Sequence, residues 1–274
     1  MNVAFIHYGD ASMASFRYRA LMPVSYLNDQ GFTATINEGE ADAIVFSKPA
    51  EANIELAKQC KEDGTRVIVD ICDDHLDHEK MGAVYRELIG LSDQVICPTK
   101  TLQERIAKET GNDSEVIPDP YEQQRRIPHA KGENLLWFGH QRNIPEIIPF
   151  IGKLPNLSVC TGRNNTLTGY IPWSLENQEK ELAYANIVVL PKSAEYKSPN
   201  RLINSLMAGC FVVAHPNQSR QEFRKYTWIG RVLSGLEWAN AFQDELNDRV
   251  SEAQDYIEAH YSPECIGKQW AEIL

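Results

Sequence analysis

Apolar and polar positions alternate along this chain in two separate series. Short runs rich in β-branched residues at 3–7, 43–46, 67–71, 94–97 and 115–117 read as strands. Between them, around 16–30, 52–62, 79–91 and 101–110, apolar residues recur at three- and four-residue spacing, which predicts amphipathic helices. Strands separated by helices mean βαβ units and a mainly parallel sheet. A polar, proline-bearing stretch, IPDPYEQQRRIPHAKGEN, then predicts a linker. The alternation resumes with strands at 135–138, 157–160, 187–190 and 211–214 and ends in a helical tail to Leu274. The pattern predicts an α/β protein of two Rossmann-like, parallel-sheet domains facing a cleft: 1–120, a linker at 121–132, and 133–274 including the C-terminal helix.

The stretch 186–215, NIVVLPKSAEYKSPNRLINSLMAGCFVVAH, carries the most chemistry. It reads as a buried strand, a polar loop, a helix over 199–208, a stop at Gly209 and a second buried strand. Ser198 is placed to cap that helix and Pro199 to occupy its first position. The free amides of the first turn then meet the carboxyl edge of a parallel sheet, where N–H groups and the helix dipole favour phosphate. Lys192, Lys197 and Arg201 add positive charge at the same place. Leu202, Ile203, Leu206 and Met207 form the buried stripe, which leaves Arg201 and Asn204 on a side that can meet a ligand. These features point to a diphosphate site; the plainer alternative is one more αβ unit with a capped helix.

Composition narrows the function classes. The chain has 274 residues, 43% of them hydrophobic, enough for one large or two modest domains. No apolar run reaches the ~20 residues that span a bilayer, and the N-terminus lacks a signal-type pattern, so a cytoplasmic protein is expected. A net charge of −11 argues against broad nucleic-acid binding. The six cysteines are scattered, with no C-x-x-C pair, as in a reducing compartment. There is no G-x-G-x-x-G after the first strand, no P-loop and no G-x-S-x-G elbow.

The first half offers two candidate clusters. VDICDDHLDHE places Asp70, Asp73, Asp74, His75, Asp77 and His78 at a strand's carboxyl end. Asp74 or His75 would hold an acceptor hydroxyl or act as general base. Alternatively, Asp74 and His78 at helical spacing would bind a divalent ion, or Asp73 or Asp74 would simply cap the next helix. The second cluster follows strand one: Gly9 gives a turn, and Ser15, Arg17 and Arg19 begin a helix. Two apart, the arginines cannot share a helical face, so Arg17 is expected to meet an acceptor or phosphate and Arg19 the surface. His7 ends the strand, either as a hydrogen-bonded buried histidine or as a functional one.

Four segments, GDASMASFRYRALMPVSYLNDQGF, VICPTKTLQERI with EVIPDP, LLWFGHQRN, and TGYIPWSLENQEKELAYANIVVLPKSAEYKSPNRLINSLMAGCFVVA, together resemble the GT-B glycosyltransferases, in particular the retaining, family-four-like (group 1) branch. The likeness spans most of the chain, and the last segment is its specific part. The resemblance implies a nucleoside-diphosphate sugar as donor, no cofactor and no metal. It implies that the base meets Tyr170 and Ile171, and that the diphosphate meets Lys197, Ser198, Asn200 and Arg201, assisted by Arg142 and more weakly by Arg163. Many retaining members carry two glutamates eight positions apart; here Tyr196 and Asn204 stand in those places, with Glu195 beside the first. The implied function is transfer of a sugar, with retention, to a glycan, lipid-linked or small-molecule acceptor, nucleic acid being disfavoured. The alternatives are a nucleotide-sugar epimerase or hydrolase on the same fold, or a catalytically silent nucleotide- or sugar-binding relative.

Overall fold

The structure is a computed structural model that describes residues 1–122, 126–162, 167–192 and 194–274. By internal contacts the chain forms two compact units: residues 1–120 with 195–198 and 260–274, and residues 121–194 with 199–259.

In the first unit, β1 (Asn2–Ile6), β2 (Thr33–Ile36), β3 (Ala43–Ser47), β4 (Arg66–Asp70), β5 (Gln94–Cys97) and β6 (Glu115–Val116) form one parallel sheet of order β2-β1-β3-β4-β5-β6. All five residues of β3 are buried, because helices cover both faces of the sheet. Alternate side chains point to opposite sides. Ile44, Phe46, Val67 and Val69 pack with Ala57, Tyr85, Leu88 and Leu102, which come from the helices Asn53–Glu62, Met81–Leu91 and Lys100–Thr110. On the other face, Phe5, Val45 and Ile68 pack with Leu27, Ile266 and Trp270.

That second layer combines the helical stretch at 14–29 with the end of the chain. The stretch is α-helical over Ala14–Phe16, π-helical over Arg17–Leu21 and α-helical again over Met22–Asp29, and the last helix (Pro263–Ile273) lies against it. Gly267 makes the close approach possible, since a Cβ there would stand 2.2 Å from the Tyr26 ring. The C-terminal helix, expected in the second domain, therefore packs in the first, drawn there by the burial of Trp270 and Ile266.

In the second unit, β7 (Leu135–Gly139), β8 (Leu157–Thr161), β9 (Tyr170–Pro172), β10 (Ile187–Leu190), β11 (Phe211–Ala214) and β12 (Trp228–Ile229) form a parallel sheet of order β12-β11-β10-β7-β8-β9. This is the doubly wound dinucleotide-fold order, with its switch point between β7 and β10. The helix expected over 199–208 is Asn200–Met207.

The segment expected to be a linker is docked within this unit. Arg126 bonds Gln254 and the Ser251 carbonyl, Ile127 N donates to the Met207 carbonyl, and Gln254 Nε2 donates to the Ile127 and Leu206 carbonyls. Prolines deny it regular structure, so side chains satisfy its backbone instead. Gly209 (φ +84°) stops the preceding helix as expected, and a Cβ there would meet the Ile127 and Pro128 carbonyls at 2.7 Å.

Candidate functional site

In the second unit the switch point is lined by charge. Arg201, in the first turn of the Asn200–Met207 helix, reaches back over the sheet edge and donates from Nη1 to the Phe138 carbonyl at 3.0 Å. Gly139 lets it pass, because a Cβ there would lie 2.9 Å from Arg201 Nη1. Arg201 Nη2 stands 3.7 Å from Glu146 Oε2, too long for a hydrogen bond, and that oxygen is buried without a hydrogen-bond partner. Arg220, 3% exposed, donates to the Leu190 and His215 carbonyls at the carboxyl ends of β10 and β11.

Burial lowers the pKa of Arg201, with Glu146 opposing. Burial, then the like charge of Arg201, bring Arg220 down to about 10. Burial pushes the Glu146 carboxyl up, against the pull of Arg201, Arg220 and Lys192. Sequence reasoning found Arg201 and Lys192 but missed Glu146 and Arg220. The available signal was an arginine in the loop just past a buried strand; Glu146 follows an irregular turn and gave none.

The other donor-side candidates are divided between the units. Among the described residues no side chain caps the Asn200–Met207 helix; Pro199, not Ser198, is its cap residue. Ser198 packs instead in the first unit beside Asp119, whose carboxyl burial pushes up against the pull of Arg19 and then of Ser198. Lys197 lies 3.4 Å from Asp73. The Tyr196 ring packs on the first unit's core and under Arg105 at 5.9 Å, and its carbonyl accepts from Thr99 Oγ1. Glu195 is exposed.

Asn204 is 4% exposed; Oδ1 accepts from Glu122 N at 2.8 Å and Nδ2 donates to the Asn200 carbonyl at 2.9 Å. It lines a cavity of ≈ 150 Å³ with Glu122, Leu175, Gln178, Glu179 and Leu182. Tyr170 donates from its hydroxyl to the Gly162 carbonyl at 3.0 Å, and Ile171 follows it in β9; neither borders that cavity. Arg142 is exposed, its N–H turned onto His140 Nδ1. Arg163 lies outside the described residues.

In the first unit the carboxyl edge carries a second cluster. Asp73 stands 3.7 Å from Lys48. Asp74 accepts from Leu76 N and pairs with Arg105 at 3.4 Å. His75 lies edge-on to Tyr85 and His78, and burial lowers its pKa. None of these caps a helix, for the helix begins only at Met81 after Lys80. For the same reason Asp74 and His78 do not have helical spacing, and His78 Nδ1 accepts from Met81 N. Among the described residues no group of three His, Cys, Asp or Glu is arranged to hold a metal.

The loop after β1 differs from expectation at Arg19. Arg19 is buried rather than at the surface, and it pairs with Asp70 through Nε at 3.0 Å and Nη2 at 2.6 Å. Burial works against this guanidinium, but Asp70 and Asp119 outweigh it and hold it above its ordinary pKa. Arg17 is also buried and donates to the Ala11 carbonyl at 2.8 Å. Ser15 is half-buried nearby, and a Cβ at Gly9 would meet Met13 Sδ at 2.5 Å. His7 is buried but makes no ring hydrogen bond; burial, then Lys48, lower its pKa to about 4.

Comparison with known proteins gives a fold without a sequence family. No protein-family model matches the chain, and no curated sequence matches it significantly. Solved structures do match over the whole chain. HepE from Anabaena in complex with UDP-glucose aligns with a TM-score of 0.71 at 12% identity, covering 100% of this chain and 99% of that one. Sucrose-phosphate synthase from Thermosynechococcus elongatus aligns with a TM-score of 0.76 at 10% identity, covering 99% and 98%. WaaG, a glycosyltransferase involved in lipopolysaccharide biosynthesis, aligns with a TM-score of 0.69 at 14% identity, covering 99% of each chain. The chain thus has the two-domain α/β fold of GT-B glycosyltransferases. No helix among the described residues is long and apolar enough to cross a membrane.

Proposed function

We propose that this protein is a glycosyltransferase that moves a sugar from a nucleoside-diphosphate donor to a hydroxyl-bearing acceptor, with retention and without a metal. The observation that carries the reading is the placement of Arg201 at the switch point between β7 and β10, over Gly139 and beside a helix start that no side chain caps. A diphosphate there meets a guanidinium and the free amides of the first turn, supported by Asn200 and Arg142. Asn204 borders a cavity that would take the ribose, and Tyr170 and Ile171 would meet the base. Lys197 and Ser198, with Glu195 and Tyr196, keep a place in the proposed donor loop, although Tyr196 serves it through packing.

In the reaction the anomeric C–O bond to phosphate breaks and a bond to the acceptor oxygen forms. The leaving diphosphate takes the acceptor proton, so the chain need supply only position and positive charge. Gly9, Ser15 and Arg17 would present the acceptor, and His75, whose pKa burial lowers, suits a hydroxyl. Asp74 or His75 would be the base if the outcome were inversion. The acceptor class is a glycan, a lipid-linked sugar or a small molecule, since a net charge of −11 disfavours nucleic acid. Six free, scattered cysteines favour the cytoplasm.

Calorimetric titration with UDP, GDP, ADP and their sugar conjugates tests the proposal. One nucleotide should bind, and Arg201→Ala should weaken it by roughly tenfold or more, as for the loss of one charge-assisted contact. Absence of binding by every nucleotide would remove the donor site.

A further inference from the structure

At the switch point the Glu146 carboxylate stands 3.7 Å from Arg201, and Arg220 and Lys192 also draw on it against burial. Among the described residues, each guanidinium is only part-satisfied by protein. Arg201 gives one nitrogen to the Phe138 carbonyl and stands 3.7 Å from Glu146, and Arg220 bonds only main-chain carbonyls, those of Leu190 and His215. Arg220 also feels Arg201 as a like charge. Burying a second guanidinium beside the first is costly unless a counter-charge arrives. Glu146 does not supply it fully, as its buried Oε2 makes no hydrogen bond. The Arg19 site in the first unit shows what self-sufficiency looks like: a two-nitrogen pair with Asp70, a bond to the Ile117 carbonyl at 2.6 Å, and Asp119 at 3.5 Å.

We infer that Glu146 is a specificity-determining residue that limits the charge of the anion this site accepts: its buried carboxylate, 3.7 Å from the Arg201 guanidinium, repels each phosphate charge beyond those of a nucleotide sugar's diphosphate diester and so disfavours a triphosphate. The inference rests on the donor-site reading for the identity of the nucleotide, but its charge rule can be read with inorganic anions. Glu146 repels each added phosphate charge, and Arg220 supports it from beneath without needing to touch the ligand.

The test is calorimetric titration of wild type, E146Q and R220Q with pyrophosphate, tripolyphosphate, UDP and UTP at fixed ionic strength. E146Q should raise the tripolyphosphate-to-pyrophosphate affinity ratio by roughly tenfold, the size of one partly buried charge contact. R220Q should lower it by a similar factor. Circular dichroism checks that R220Q folds, since Arg220 holds two strand-end carbonyls; if it does not, the E146Q ratio decides alone. An unchanged ratio in E146Q, or no binding of any anion by wild type, overturns the inference. Inorganic anions obeying the rule while neither nucleotide binds would sink the donor reading and leave the charge rule standing.

Discussion

At Arg19 the guanidinium donates to both carboxylate oxygens of Asp70, while Ser47 Oγ donates to the same carboxylate at 3.0 Å and Trp270 lies 5.1 Å away against the cation. Asp70→Asn would leave a buried cation with Asp119 alone, at 3.5 Å. Breaking such a pair costs about 3–5 kcal/mol, so urea unfolding should show a loss of that order; a loss under about 1 kcal/mol, the scale of an exposed pair, would mean that Asp119 takes over. The residue types of this network were visible in the sequence, where Asp70 stood out in an acidic strand end. Its wiring was not, because helical spacing tells which residues share a face and not what that face meets. Arg201 was legible for the opposite reason. It stands in the first turn of a helix that follows a buried strand, and that context alone directs it to the sheet edge.

The central strands were readable because helices cover both their faces, which turns each into an unbroken apolar run. The short edge strands β2, β9 and β12 escaped, being half-exposed and too short to show a period. The cap at Ser198 failed on a different ground: the residue packs in the first unit while the helix it precedes belongs to the second, so tertiary packing overrode local capping chemistry. Helix contacts give the element-scale prediction. Gly267→Ala would drive a methyl to 2.2 Å from the Tyr26 ring, forcing the C-terminal helix away from Met22–Asp29. Overpacking of this kind costs typically 1–3 kcal/mol. A lowered denaturation midpoint is expected, whereas an unchanged one would show that Tyr26 can swing aside.

Taken whole, the first unit is built from three separate pieces of chain, 1–120, 195–198 and 260–274. Reading the sequence in order located the break after 120 but assigned the tail to its sequence neighbours, since no local pattern announces a return. Trp270, with no exposed surface and its ring 5.4 Å from Phe5 edge-on, is the side chain that fastens the last piece. Trp270→Ala should cost about 3–5 kcal/mol, measured by urea denaturation; a loss below about 1 kcal/mol would mean that the tail adds little to the unit's stability. The same threading has a consequence for synthesis. When the ribosome has released residue 120, all six strands of the first sheet exist, but the apolar face that Ile266 and Trp270 will cover is still bare. It stays bare until residues 260–274 have been made, so the nascent chain exposes a sticky surface through the whole intervening stretch of synthesis and gives chaperones a long window in which to hold it.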